Sequence, residues 1–290
     1  MRLIPVCLLA LTASTLGFAQ ETIQFGKRVA VAGDAFKYVQ NKKQDVEMEM
    51  SVGGNSMGKM PSSNETAKTL ELICLEADDQ GATKVKLVCT KHYEKIVQPM
   101  MGEQEKNHKV EGKTLIVEKT ADGVKVTTED GEPVSPEVMA DVEAELDIGI
   151  FNPNRKLGEN LPTDGVTVGK TFDLPEEARG AFFANAEENG LKVEKSEMTL
   201  KEIKTIDDAR YGVFTIAMKV KGSPPSGGAP MKVELEYEME GEAVIAVDTS
   251  WVKSMKLGGP MKMNGSGQQG VEVKGDGKIA MDYTAEIKMK

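Results

Sequence analysis

Two short runs in this chain have the spacing of known chemistry. Gly54-Asn55-Ser56-Met57-Gly58 fits G-x-S-x-G, the pattern that lifts a nucleophilic serine onto a strained turn between a strand and a helix. Here an alternating strand pattern precedes the serine and Pro61-Ser62-Ser63 follows it, so the run reads as a loop. Gly265-Ser266-Gly267-Gln268-Gln269-Gly270 fits G-x-G-x-x-G, which binds a dinucleotide when the last glycine opens a helix. Val271-Glu272-Val273-Lys274 follows instead, a strand pattern, so this run reads as a hairpin loop. The two histidines, His92 and His108, stand at no zinc-ligand spacing, and lone histidines near strand ends mostly face solvent. The paired acids Glu176-Glu177 and Glu187-Glu188 fall on a helix surface, where solvation accounts for them. Asn64-Glu65-Thr66 and Asn264-Gly265-Ser266 are glycosylation sequons, with meaning only in a host that glycosylates. No catalytic set emerges, so the expectation is a protein that is not an enzyme and needs no cofactor or metal.

Methionine is the unusual residue, with 17 in the chain. Many fall at inward strand positions, where a thioether fills space. Met57, Met60, Met100, Met101, Met261 and Met263 lie instead in or beside Gly/Pro-rich stretches. Three readings compete for these six. They are loose packing, an adaptable apolar surface for a lipid, peptide or partner, or a soft-metal site for Cu(I). No Met-x-x-Met series or Met/His cluster supports the metal, so the six stand as candidate ligand-binding residues.

Alternation sets what must position them. Val46, Met48, Met50 and Val52 alternate with polar residues, as do Val233, Leu235, Tyr237 and Met239, and Ile279 through Met289. Period two means strands with one buried and one wet face, which belong to antiparallel sheets. Turn signals separate them at Asp78 to Gly81, Asp122-Gly123, Asp207-Asp208 and Gly275-Asp276-Gly277. One hairpin is expected over Lys68–Ala77 and Ala82–Tyr93, with Ala77 opposite Ala82, Cys74 opposite Val85 and Cys89 opposite Leu70. Four positions of stagger, ~13 Å, favour two buried free thiols over a bridge, although export would permit one.

The halves also resemble each other. Asp78-Asp79 matches Asp207-Asp208, and Glu111-Gly112 matches Glu240-Gly241, at one common offset. Val29, Val31, Gly33 and Phe36 match Val166, Val168, Gly169 and Phe172. An internal duplication accounts for this, against the alternative that β-hairpins look alike. The expected organisation is a signal peptide over 1–19, a first β half over 20–150 that ends in a helix, a connection over 151–165 and a second half over 166–290. Ser135-Pro136 caps the first helix, on which Val138, Val142 and Leu146 recur. A second helix follows Asp173 and Pro175, runs through Phe182 and Phe183, and stops at Gly190. Neither half offers a sheet to cover its own apolar face, so one continuous domain is expected. The fold class is mainly β: a curved antiparallel sheet or half-open barrel, with a closed barrel or sandwich as alternatives, and two short helices.

The ends place the protein. A basic Arg2, an apolar run from Leu3 to Leu16 and the exit Gly17-Phe18-Ala19 have the form of a secretory signal peptide. Cys7 lies inside the apolar run and not at its end, so lipidation is not expected, and no run is long enough for a transmembrane helix. The formal net charge of −10 repels nucleic acid and anionic lipid surfaces. The expectation is an exported protein, periplasmic or secreted.

The stretch Leu161-Pro162 to Val166-x-Val168-Gly169-x-x-Phe172 and the later Glu-Gly hairpin resemble a group of exported bacterial proteins of unknown function. That group is similar in pattern to the LolA/LppX type of lipoprotein and lipid carrier. The resemblance implies a half-open β-barrel with helices filling its mouth, and it carries over no functional residue. Together these readings point to a non-catalytic envelope protein that binds an apolar ligand or a lipidated or peptide partner. The alternative is a structural or assembly protein acting through protein–protein contacts.

Overall fold

The computed structural model describes residues 21–290 apart from 99–101, 147–149, 152–156, 158–159, 180–189, 224–230 and 268–269. The stretch read as a signal peptide, 1–19, lies outside the described residues. In chain order the elements are β1 (Thr22–Ile23), β2 (Ala35–Val52), β3 (Asn55–Asp78), β4 (Gly81–Gln98), β5 (Gly102–Asn107), β6 (Thr114–Thr120) and β7 (Gly123–Thr128). After α1 (Pro136–Leu146) come β8 (Val166–Thr167), β9 (Thr171–Asp173) and the single helical turn α2 (Glu176–Arg179). The chain ends with β10 (Leu191–Ile206), β11 (Ala209–Gly222), β12 (Met231–Ala246), β13 (Val252–Gly267) and β14 (Val271–Lys288).

Twelve strands form one antiparallel sheet, in the order β7-β6-β4-β3-β2-β14-β13-β12-β11-β10-β9, with β5 paired to β4. Among the described residues the terminal strands β7 and β9 do not pair with each other, so the sheet is open and not closed into a barrel. β14 lies in the middle, between β7-β6-β4-β3-β2 on one side and β13-β12-β11-β10-β9 on the other. It pairs with β2 along the whole of both strands, from Val271 opposite Val52 to Lys288 opposite Ala35.

The alternating pattern becomes one apolar face. Its first pack runs over β10 to β14, where Leu200, Phe214, Ile216, Met239 and Leu257 meet Ile23, Leu157, Leu161 and Val166 from outside the main sheet. The second runs over β2, β3, β4 and β6, where Phe36, Leu70, Leu72, Leu87 and Leu115 meet Val138 and Val142 of α1 and Trp251. The opposite face carries paired charges, such as Lys219 with Glu236 at 2.9 Å and Lys84 with Glu76 at 3.4 Å.

Glycines let β12 and β13 approach closely. A Cβ on Gly241 would strike the Lys256 carbonyl of β13, and one on Gly259 the Glu238 carbonyl of β12. The β12–β13 ladder lacks two pairs at that place, between Tyr237–Met261 and Glu240–Gly258, with the register unchanged. Only glycine permits so close an approach of two backbones.

The hairpin register matches the sequence expectation: Ala77 faces Ala82, Cys74 faces Val85 and Cys89 faces Leu70. The ladder closes one pair further, at Asp78 and Gly81. Cys74 and Cys89 are not bridged to each other, and both are buried. Burial first, and the Asp34 carboxylate second, raise the Cys74 thiol above its usual range. The corresponding hairpin β10–β11 turns on Asp207 and Asp208, both at positive φ (50° and 63°), as a two-residue primed turn requires.

The helices differ from the expectation. α1 forms where its cap predicts, with Ser135 accepting from Met139 N at 3.0 Å through its carbonyl. The second helix is described only over Glu176–Arg179, and Phe182 and Phe183 lie outside the described residues. Among the described residues the two expected short helices are therefore seen as one helix and one helical turn.

Candidate functional site

The serine of the G-x-S-x-G run sits at the tip of the β2–β3 hairpin, where Gly54 and Gly58 take positive φ. Ser56 Oγ donates to Glu49 Oε1 at 2.9 Å and is exposed. A strand follows it, so the geometry that activates a nucleophile elbow is not built. The glycine run 265–270 likewise stands between β13 and β14, and the strand β14, not an α-helix, follows its last glycine.

The six candidate methionines separate. Met57 lies on the exposed hairpin tip at 57% exposure, away from any pack. Met100 and Met101 lie outside the described residues. Met60, Met261 and Met263 come together on the apolar face, joined by Met48, which alternation alone had assigned to plain packing. The register shows how. Met60 of β3 faces Met48 of β2, Met48 faces Gly275 of β14, Gly275 faces Met263 of β13, and Met263 faces Leu235 of β12. One row thus crosses five strands.

Met48, Met60, Met263 and Leu235 are half-buried, whereas Met261, one row inward, is buried at 2% exposure. The apolar face therefore passes from a closed pack to a partly open end. At Gly275 a Cβ would stand 2.9 Å from Val46 Cγ1 and 3.1 Å from the Met263 Cε methyl. The methionine methyl lies across the space that the glycine leaves. Thioether chains are unbranched and polarizable, so they re-pack at low cost. The row is an apolar floor whose side chains can re-pack.

The chain also gathers a polar cluster that the sequence did not reveal. The rings of His92 on β4 and His108 after β5 stack with centroids 3.7 Å apart and planes 7° off parallel. His108 Nδ1 lies 2.8 Å from Asp141 Oδ1 on α1, and Asp141 Oδ2 accepts from Val110 N at 3.1 Å. Burial first, then the Lys68 charge, depress the His92 pKa to about 3. Burial pushes the Asp141 carboxyl up, and the hydrogen bonds from His108 and Val110 outweigh it, leaving it below the usual carboxylate range. The cluster pins α1 to the sheet. Among the described residues no group of His, Cys, Asp and Glu could hold a metal ion. No helix among them is long and apolar enough to cross a membrane.

No protein-family model matches the chain, and no curated protein matches it. Among solved structures it is similar to lipovitellin, in a structure of lipid–protein interactions, at 11% identity and a TM-score of 0.40. The match covers 89% of this chain but 25% of that one, so the chain spans about a quarter of lipovitellin's length. It is also similar to DynF from the dynemicin pathway of Micromonospora chersina, at 7% identity and a TM-score of 0.21, over 92% of this chain and 86% of that one. A LolA superfamily protein from Nitrosomonas europaea aligns at 11% identity and a TM-score of 0.14, over 86% of each chain. At these values the likenesses support no functional statement.

Proposed function

We propose that this is an exported, non-catalytic binding protein that holds an apolar ligand, or the apolar part of a lipidated or peptide partner, on the inner face of its open sheet. The row from Met60 to Leu235 carries this reading, because it leaves apolar, repackable surface half-covered at one end of a continuous core. Covering such surface is favourable by ~25 cal/mol per Å². Half-exposed apolar rows in an otherwise charged surface mark places where something else binds. Export rests on the N-terminal pattern of Arg2, the apolar run and Gly17-Phe18-Ala19.

Titration of the folded protein with phenylnaphthylamine tests this. Saturable enhancement, competed by a long-chain alcohol, is the expected result, and a linear response up to the solubility limit would remove the reading. A second reading, assembly through protein contacts, is favoured by β5, which is exposed along its whole length beside β4. Crosslinking in intact cells that traps a stoichiometric protein partner would move the weight to it.

A further inference from the structure

The strand pairing supplies the methionine clustering that the sequence spacing lacks. Met60 faces Met48, Met48 faces Gly275, and Gly275 faces Met263, so three thioethers share one row with a glycine among them. Directly paired residues hold their Cβ atoms about 5 Å apart, close enough for the Met48 and Met60 side chains to meet. Met263 spans the wider step. Its Cε lies 3.1 Å from where a Gly275 Cβ would stand, so its side chain leans over the glycine that separates it from Met48. Met50 lies two residues beyond Met48, ~7 Å along the same face of β2, and faces Val273. All four methionines are half-buried, so an ion from solvent can reach them.

The donor set is one of sulfur. The residues two along from the row on the same face are apolar or glycine, apart from Ser62, and bring no carboxylate, imidazole or thiol. Calcium and magnesium take oxygen ligands, and zinc takes histidine and thiolate, so this row suits neither. Thioethers select Cu(I). A thioether donates a lone pair without losing a proton, so its binding of a metal does not depend on pH. The formal net charge of −10 favours the approach of a cation.

We propose that Met48, Met60 and Met263 hold one Cu(I) ion over Gly275 through their thioether sulfurs, with Met50 as a further donor. The metal site stands beside the apolar-ligand reading and does not rest on it. Leucine in place of these methionines keeps the apolar floor and removes the sulfur, so the two readings are separable.

The test is withdrawal of Cu(I) from its coloured bicinchoninate complex by the purified protein, without air and with a reductant present. About one ion per chain is expected, equally at about pH 7.5 and 5.5. Met48→Leu combined with Met60→Leu and Met263→Leu should abolish the withdrawal and leave saturable phenylnaphthylamine binding in place. Cys74→Ala combined with Cys89→Ala should leave the withdrawal intact, because both thiols are buried away from the row. No withdrawal by the unaltered protein overturns the site. Withdrawal that survives in the triple variant, shown to be folded by circular dichroism, overturns the choice of methionines, and withdrawal lost with the two cysteines assigns the metal to the thiols instead. A readout that needs no variant is the spectrum of protein labelled with carbon-13 at the methionine methyls. Ag(I), a stand-in of the same softness, should shift a distinct subset of the Cε signals, and shifts spread evenly over all methionines overturn the cluster. Cu(I) held by a protein that binds no phenylnaphthylamine would leave the metal site standing and remove the apolar-ligand reading alone.

Discussion

His92 shows how one residue makes stability depend on pH. Its ring is 5% exposed, stacked on His108, with Lys68, Lys106 and Asp141 near it. The folded protein holds it neutral down to about pH 3, while the unfolded chain protonates it near 6.5. Between those values the unfolded state binds more protons, so stability is complete above pH 6.5 and falls as the pH drops toward 3. Asp141, held below the usual carboxylate range, acts with the same sign: its contribution is present at neutral pH and lost on acidification. Urea unfolding at pH 7.5 and 4.5 is expected to show a loss of about 1–3 kcal/mol, and His92→Leu should flatten that dependence. Asp141→Asn removes the acceptor shared by His108 and Val110 N and should cost about 1–3 kcal/mol at pH 7.5. A protein equally stable at both pH values would show that His92 is protonated in the fold.

At the scale of elements, β14 is where packing and the proposed site meet. Its Gly275 leaves the space over which the Met263 methyl lies. Gly275→Val would fill that space, crowd Val46 and lift Met263 from its place. Overpacking of this kind costs about 1–3 kcal/mol. Thermal unfolding should therefore show a lowered but cooperative transition, with probe binding weakened about tenfold in protein that is still folded. Unchanged binding would place the ligand away from the row. Gly241 and Gly259 are the companion feature, because with a Cβ at either position β12 and β13 could not pass so closely.

At the scale of the molecule, the open sheet has one seam that decides whether it can be divided. β2 belongs to the first half of the chain and β14 to the second, and they pair along 18 residues each. Cutting there exposes two long central strands with unpaired backbone groups, and such edges aggregate. A fragment of residues 21–150 and one of 166–290 are each expected to be insoluble or unfolded by circular dichroism when produced alone. Fragments that fold independently would show that β2–β14 pairing joins two preformed units. The aromatic pair Phe36–Trp251, with centroids 4.6 Å apart, ties the same seam from the apolar face.

What the sequence by itself determined is local. Period two marked the strands, because a pleated chain sends alternate side chains to opposite faces. The β3–β4 register followed from the turn at Asp78 to Gly81, since a hairpin's pairing is fixed by its loop. Ser135-Pro136 set the start of α1, because a cap acts within one turn. The mainly β, antiparallel class was legible for these reasons. The tertiary structure decided everything that depends on which strands are neighbours. It placed β14 against β2 and left the sheet open. It brought Met48 beside Met60 and across Gly275 from Met263, and it stacked His92 on His108 under Asp141. No local pattern specifies those pairings, because backbone hydrogen bonds between strands are the same whatever the residues. The choice is made by the fit of whole faces, and that exists only once the chain has folded.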